Sequence, residues 1–189
     1  SRTFFYGGDG YFDNMNNFFG SNGFDIVDRG RGYLFGESFT AKRTNIKDKD
    51  IQFENAWGVC DEDIYKQVIK EADLNYAANK PFFNFIMTTS NHRPYTYPEN
   101  KIDIPSGTGR DGAVKYTDYA IGKFLNTIKD KPWFDTTVIA IMADHCANSA
   151  GKWELNVGKY HIPALIYNLP NAPKTKIVKQ ASQIDFFPT

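Results

Sequence analysis

Two near-continuous apolar runs, 81–90 (PFFNFIMTTS) and 136–144 (TTVIAIMAD), set the tightest limit on how this chain can fold. A strand with one wet face alternates apolar and polar residues, whereas an unbroken apolar run of strand length suits a strand covered on both faces, the habit of parallel sheets. The first run reads as a central strand over Phe82–Thr89 and the second as a buried strand over Val138–Ala143. Shorter strands are expected at 2–8 (RTFFYGG), closed by a glycine pair, at 24–29 (FDIVDR) and at 160–168 (YHIPALIYN). Between them the period changes. The stretch 13–24 reads as one or two helical turns ended by Gly20 or Gly23. From Asp61, which can cap, Ile64, Val68, Ile69 and Ala72 fall on one helical face. A second helix is expected over 112–129, where Tyr116, Tyr119, Ala120, Phe124, Leu125 and Ile128 share a face. Residues 30–55 have no clear period and read as an excursion or loop, and the Pro-, Gly- and Asn-rich stretch 91–112 reads as a long loop of the kind that usually carries function. Strands alternating with helices define an α/β fold: a mainly parallel central sheet with helices on both faces. In such sheets ligands bind beyond the carboxyl ends of the strands.

The 189 residues suffice for one sizeable domain with a real core. Lys plus Arg and Asp plus Glu number 22 each, so no basic excess points to nucleic acid or to an anionic surface. Aromatic residues make up 16%, which fits a large core with scattered surface rings or an aromatic-lined cleft. No apolar run approaches the roughly 20 residues that span a bilayer. The chain opens in mid-strand and stops at what reads as the start of a helix (QIDFFPT), so a fragment of a longer protein is expected. Cys60 and Cys146 are too few for a disulfide framework; a single pair and two reduced thiols both remain open.

Two strand exits carry chemistry. The first delivers Ser90-Asn91-His92-Arg93 and the second Asp144-His145. A carboxylate beside an imidazole suits a borderline cation such as Zn²⁺ or Mn²⁺. Adjacent residues of an extended chain point apart, so both can hold one ion only if the backbone turns between them, and the following CANSAG supplies small, turn-prone residues. The plainer alternative has Asp144 capping a helix and His145 as a hydrogen-bonded edge residue. Imidazole, guanidinium and amide donors at His92, Arg93 and Asn91 suit phosphate or sulfate oxygens, against a loop whose polar groups merely satisfy backbone. On a shared parallel edge His92 and His145 come together, while His161, at the start of the next strand, needs its loop to fold back. Cys146 as a nucleophile is the rarer reading of a lone thiol.

The stretches FFYGGDGYFDNMNNFF, TTSNHRPYTYP, IMADHCANSAGK, KYHIPALIY and QIDFFPT, in this order and over almost the whole chain, resemble the extracytoplasmic catalytic domain of the lipoteichoic acid synthase and phosphoglycerol transferase family. The resemblance implies an alkaline phosphatase/sulfatase-like fold, incomplete on its N-terminal side, with residues 1–189 the C-terminal portion of a single catalytic domain. It implies that Asp144 and His145 hold a divalent ion, Mn²⁺ foremost, with Zn²⁺ or Mg²⁺ as alternatives, and that His92 contacts the substrate phosphate, with Arg93 beside it. His161 matches a position near metal and substrate. The family's threonine nucleophile and a glutamate metal ligand lie upstream of the matched part. Where lipoteichoic acid synthases carry a Trp and an Arg for the glycerophosphate group, this chain has Asp13 and Met15, so Asp13 with Asn14 is expected to substitute through hydrogen bonds.

The function so implied is metal-dependent transfer of glycerophosphate from phosphatidylglycerol to a glycan or glycolipid acceptor. It would proceed on the extracytoplasmic side of a bacterial inner membrane, held there by an anchor outside this chain. A sulfatase or phosphodiesterase that transfers to water is the enzymatic rival, and a non-catalytic binding module is the rival of another class.

Overall fold

The computed structural model describes residues 1–30, 41–147 and 157–186. They form two compact units, Ser1–Phe134 and Asp135–Thr189.

In the first unit four strands make a parallel sheet in the order β3-β2-β1-β4: β1 (Arg2–Tyr6), β2 (Asp25–Asp28), β3 (Arg43–Asn45) and β4 (Phe83–Met87). β1 is an inner strand, and its alternating side chains divide between two cores. Phe4 and Tyr6, with Ile26 of β2, face Met15 and Phe19 of helix α1 (Met15–Ser21). Phe5, with Val27, faces helices α2 (Asp61–Ala77) and α3 (Arg110–Ile128) through Ile64, Val68, Ala113, Tyr116 and Ala120. Helices therefore cover both faces of β1, whereas the run 136–144, expected as a buried strand, lies outside this sheet and is only partly buried. Phe4 and Phe5 are fully buried, and each such ring stabilises by roughly 1.5–3 kcal/mol.

Several expectations shift in detail. The run 81–90 is a strand, but within this unit β4 stands at the end of the strand order and is half-buried, while the fully covered strand is β1. The aperiodic stretch 30–55 contains the short strand β3, which pairs with β2; three residues carry no readable period. Its residues 31–40 lie outside the described residues. The helical turns over 13–24 become α1, which ends at Ser21, before Gly23 at φ 77°. The N-cap of α2 is Cys60, not Asp61, whose carboxylate is drawn to a distant loop instead.

In the second unit β5 (Ile139–Met142) and β6 (Ala164–Tyr167) form an antiparallel pair, so the run 160–168 supplies a strand that runs against its neighbour. Antiparallel pairing needs no helical crossover. The tail makes a 3-10 turn at Gln183–Asp185 closed by a capping box from Ser182, and its last residues 187–189 lie outside the described residues. Among the described residues no helix is long and apolar enough to cross a membrane.

Candidate active site

The exit of β1 is built around Asp28, a carboxylate with no exposure at the end of β2. It accepts from the Gly10 amide at 2.9 Å and the Asn16 amide at 3.2 Å, and takes Nε and a terminal nitrogen of Arg43 at 2.9 and 2.8 Å. A bidentate guanidinium pair of this kind is short, directional and charge-assisted. It anchors both ends of the turn that presents Phe12, Asp13 and Asn14. Asp13 and Asn14 adopt φ of 50° and 58°, a left-handed conformation that short polar side chains tolerate best, and both are exposed. Met15, by contrast, packs into the core below.

The exit of β4, the strand hydrogen-bonded to β1, carries His92 and Arg93. Asp61, at the first turn of α2, fixes it from beneath. Its Oδ1 accepts the Thr89 and Ser90 amides at 3.2 and 2.9 Å, its Oδ2 accepts the Thr117 hydroxyl at 3.4 Å, and its own amide donates to Ser90 Oγ at 3.0 Å. Burial pushes the Asp61 carboxyl up, against the opposing pull of the Ser90, Thr89 and Thr117 donors. The two neighbouring carboxylates tie other parts of the scaffold. Glu62 accepts from Lys123 at 2.7 Å and Tyr116 at 3.0 Å; burial works to raise it, but these donors and Lys101 outweigh burial and hold it below its ordinary value. Asp63 accepts the Gln52 amide at 2.8 Å and the Cys60 thiol at 3.3 Å. Cys60 is buried, which pushes its thiol up to about 12, and it is a structural group.

The imidazole of His92 lies against the indole of Trp57, with ring centroids 3.6 Å apart, and Trp57 meets Phe12 edge-on at 5.3 Å. Phe12, the residue before Asp13 at the β1 exit, and His92 at the β4 exit are thereby joined across one aromatic row. Trp57 is absent from any sequence reading of the site. A tryptophan beside a glycine in an aperiodic loop (NAWGV) is the available signal, and it does not say what the ring touches.

In the second unit the chain bends at Asp144-His145, as joint ligation requires. Asp144 Oδ2 and His145 Nε2 lie 3.4 Å apart. Two ligands each about 2.1 Å from one ion lie roughly 3.0–3.4 Å apart across an octahedral or tetrahedral edge, so the pair fits a shared cation. The other ring nitrogen, Nδ1, is 2.8 Å from the Cys146 carbonyl. That contact leaves Nε2 as the ring nitrogen on the side of the carboxylate. Asp144 Oδ1 accepts the His145 amide rather than capping a helix. Gln183 of the tail donates to the carbonyls of Ala143 and Asp144 at 3.3 and 2.8 Å, and so secures the β5 exit. His161 is brought beside this turn through its backbone, whose carbonyl accepts the Cys146 thiol at 3.3 Å. Both cysteines are free thiols. Among the described residues no group of three or more His, Cys, Asp or Glu side chains could enclose a metal.

A four-stranded parallel sheet covered on both faces, with its polar exits on one edge, defines an α/β protein. The family model described as Sulfatase matches residues 1–189, and the chain belongs to that family. It is 27% identical to phosphoglycerol transferase I of Salmonella arizonae, over 72% of this chain and 17% of that protein, and the Citrobacter koseri protein of the same name matches to the same extent. Among solved structures, a protein in the alkaline phosphatase superfamily from Vibrio parahaemolyticus superposes with a TM-score of 0.72 at 39% identity, covering 88% of this chain and 37% of that one. The lipoteichoic acid synthase LtaP from Listeria monocytogenes shares the fold with a TM-score of 0.65 at 22% identity, covering 87% of this chain and 42% of that one. The chain thus spans well under half the length of these relatives. The family resemblance and the α/β fold read from the sequence are borne out.

Proposed function

We propose that this chain is the C-terminal portion of one sulfatase-like catalytic domain that transfers glycerophosphate from phosphatidylglycerol to a glycan or glycolipid acceptor. The observation that carries the reading is the Asp144–His145 pair, whose Oδ2 and Nε2, 3.4 Å apart, stand at the separation of two ligands on one ion. The similarity to phosphoglycerol transferases I supports the choice of group transferred.

Asp144 and His145 hold a divalent ion, Mn²⁺ in the first place, which supplies Lewis-acid stabilisation of charge on the nucleophile and the phosphoryl oxygens. A threonine upstream of this chain attacks the phosphodiester phosphorus. The bond to diacylglycerol breaks, the diacylglycerol oxygen takes up a proton in place of the one the threonine hydroxyl gives up, and a glycerophosphoryl-threonine remains until an acceptor hydroxyl attacks its phosphorus, displacing the threonine oxygen, which takes up the proton the acceptor loses. His92 donates to a non-bridging oxygen or protonates the leaving oxygen, and Arg93, which forms no ion pair among the described residues, adds positive charge for the same phosphate. Asp13 and Asn14 bind the glycerol hydroxyls, and His161 lines the substrate side of the metal turn. The protein works on the extracytoplasmic side of the membrane, tethered by an anchor outside this chain.

The test is made on the intact protein that carries this chain. His145→Ala is expected to abolish glycerophosphate transfer from phosphatidylglycerol vesicles and to remove bound metal in elemental analysis. Turnover that survives His145→Ala overturns the reading. Glycerophosphate released only to water, with no acceptor modified, replaces the transferase by the hydrolase.

A further inference from the structure

We infer that Trp57 is a positioning residue for His92, fixing the imidazole relative to Asp13 and Asn14; the inference rests on the proposed phosphate-binding role of His92.

Trp57 is held with more backbone geometry than a half-buried loop ring needs. Gly58 has φ 145°, and a Cβ there would stand 2.0 Å from the Gly7 carbonyl oxygen. A Cβ on Gly8 would stand 2.4 Å from the Trp57 carbonyl oxygen. The loop therefore lies directly on the glycine pair that ends β1, an approach that side chains would forbid. Val59 donates to the Gly7 carbonyl at 2.8 Å, Asn55 to the Gly58 carbonyl at 2.9 Å, and Trp57 to the Asn55 side chain at 2.8 Å. The Asn55 amide in turn reaches Thr96 Oγ1 at 3.0 Å, in the long loop beyond His92. All this rigidity delivers an indole that belongs to neither apolar cluster of the described residues. What it delivers the indole to is His92 on one side and Phe12 on the other.

His92 has the opposite character. It is exposed, and the hydrogen bond drawn from its ring runs from Nδ1 to the carbonyl of its own neighbour Arg93 at 3.2 Å. An exposed imidazole held only by its neighbour samples several rotamers. The indole face removes that freedom at little entropic expense, because a ring with two torsions packs on a ring already fixed. Phe12 directly precedes Asp13, so the same row of rings sets the distance between the group aimed at the phosphate and the groups aimed at the glycerol. Displacement of a catalytic group by about 1 Å can lower turnover on the order of a hundredfold.

The experiment is a double-mutant cycle in the intact protein, with glycerophosphate transfer from phosphatidylglycerol vesicles as one readout and the imidazole proton resonances of labelled His92 as the other. Trp57→Ala is expected to lower kcat about 10- to 100-fold at unchanged metal content, and Trp57→Phe, which keeps an aromatic face, to recover most of it. In a His92→Ala background Trp57→Ala is expected to change turnover less than about twofold, because the indole then has nothing to place. The His92 resonances, shifted upfield by the indole ring current, are expected to move to positions typical of an exposed imidazole in Trp57→Ala. Full additivity of the two losses overturns the inference, since a purely structural tryptophan would subtract the same amount in both backgrounds. Unmoved His92 resonances overturn it whatever the activity. Wild-type turnover in His92→Ala removes the role of His92 itself and, with it, the inference, even if the resonances shift.

Discussion

Replacing Asp61 by two different residues separates what its shape does from what its charge does. Asp61→Ala deletes an acceptor and leaves the Thr89 and Ser90 amides, both in a buried turn, without a partner. An unsatisfied buried donor costs about 1–3 kcal/mol, so two of them, eased by a water entering the vacated space, are expected to destabilise the β4 exit by about 2–4 kcal/mol. Asp61→Asn keeps an oxygen where Oδ1 now accepts both amides, and it removes a charge that burial disfavours. Its effect is expected to stay within about 1 kcal/mol and to carry a sign that depends on pH. With the folded-state value raised, the ionised carboxylate is penalised in the folded protein. The stability contributed by Asp61 is therefore full below its ordinary value of 3.8 and falls as pH rises through the folded value, so Asn gains on Asp as pH increases. Native-state hydrogen exchange over the segment ending at His92 measures this locally. At neutral pH the Ala variant is expected to exchange its Thr89 and Ser90 amides about 30- to 1000-fold faster than wild type, while the Asn variant stays near it. Equal exchange in the two variants would refute the account, because it would mean that the carboxylate does not hold this turn through those two bonds.

Two further outcomes follow from the same scaffold. Glu62, whose side chain is 2% exposed, is held below its ordinary value, so the stability it adds is present above about pH 4.5 and is lost as pH falls through its folded value. Glu62→Gln is expected to flatten the acid limb of thermal melts taken from pH 3 to 7; an unchanged limb counts against the Lys123 and Tyr116 contacts. Gly58→Ala places a methyl 2.0 Å from the Gly7 carbonyl at a φ that L-residues rarely adopt, and is expected to cost at least about 3 kcal/mol. It should lower the midpoint of thermal unfolding by several degrees; a wild-type midpoint would show that the loop shifts freely.

The candidate groups were legible in the sequence wherever local pattern carries the information. Apolar runs that stop at polar residues mark strand exits, which is why His92, Arg93, Asp144 and His145 stand out in the sequence itself. Pairing of Asp144 with His145 was foreseeable only as a condition, since it needs a bend that composition permits and backbone geometry decides. Asp61 was misread for the same reason. A carboxylate at the start of a helix looks like a cap, and nothing local shows that two amides 28 and 29 residues away compete for it successfully. The short strand β3 and the antiparallel sense of β6 also escaped, because three residues show no period and an apolar run is the same in either direction.

From its residues alone this chain is committed to a layered α/β fold, to a family, and to a set of imidazoles and carboxylates at strand ends, because hydrophobic period and residue type act over a few neighbours. Which of those groups face one another is a matter of hydrogen bonds and ring contacts between segments distant in sequence. Only the folded backbone sets Trp57 on His92 and Asp28 on Arg43, since each is a meeting in space that no local rule encodes.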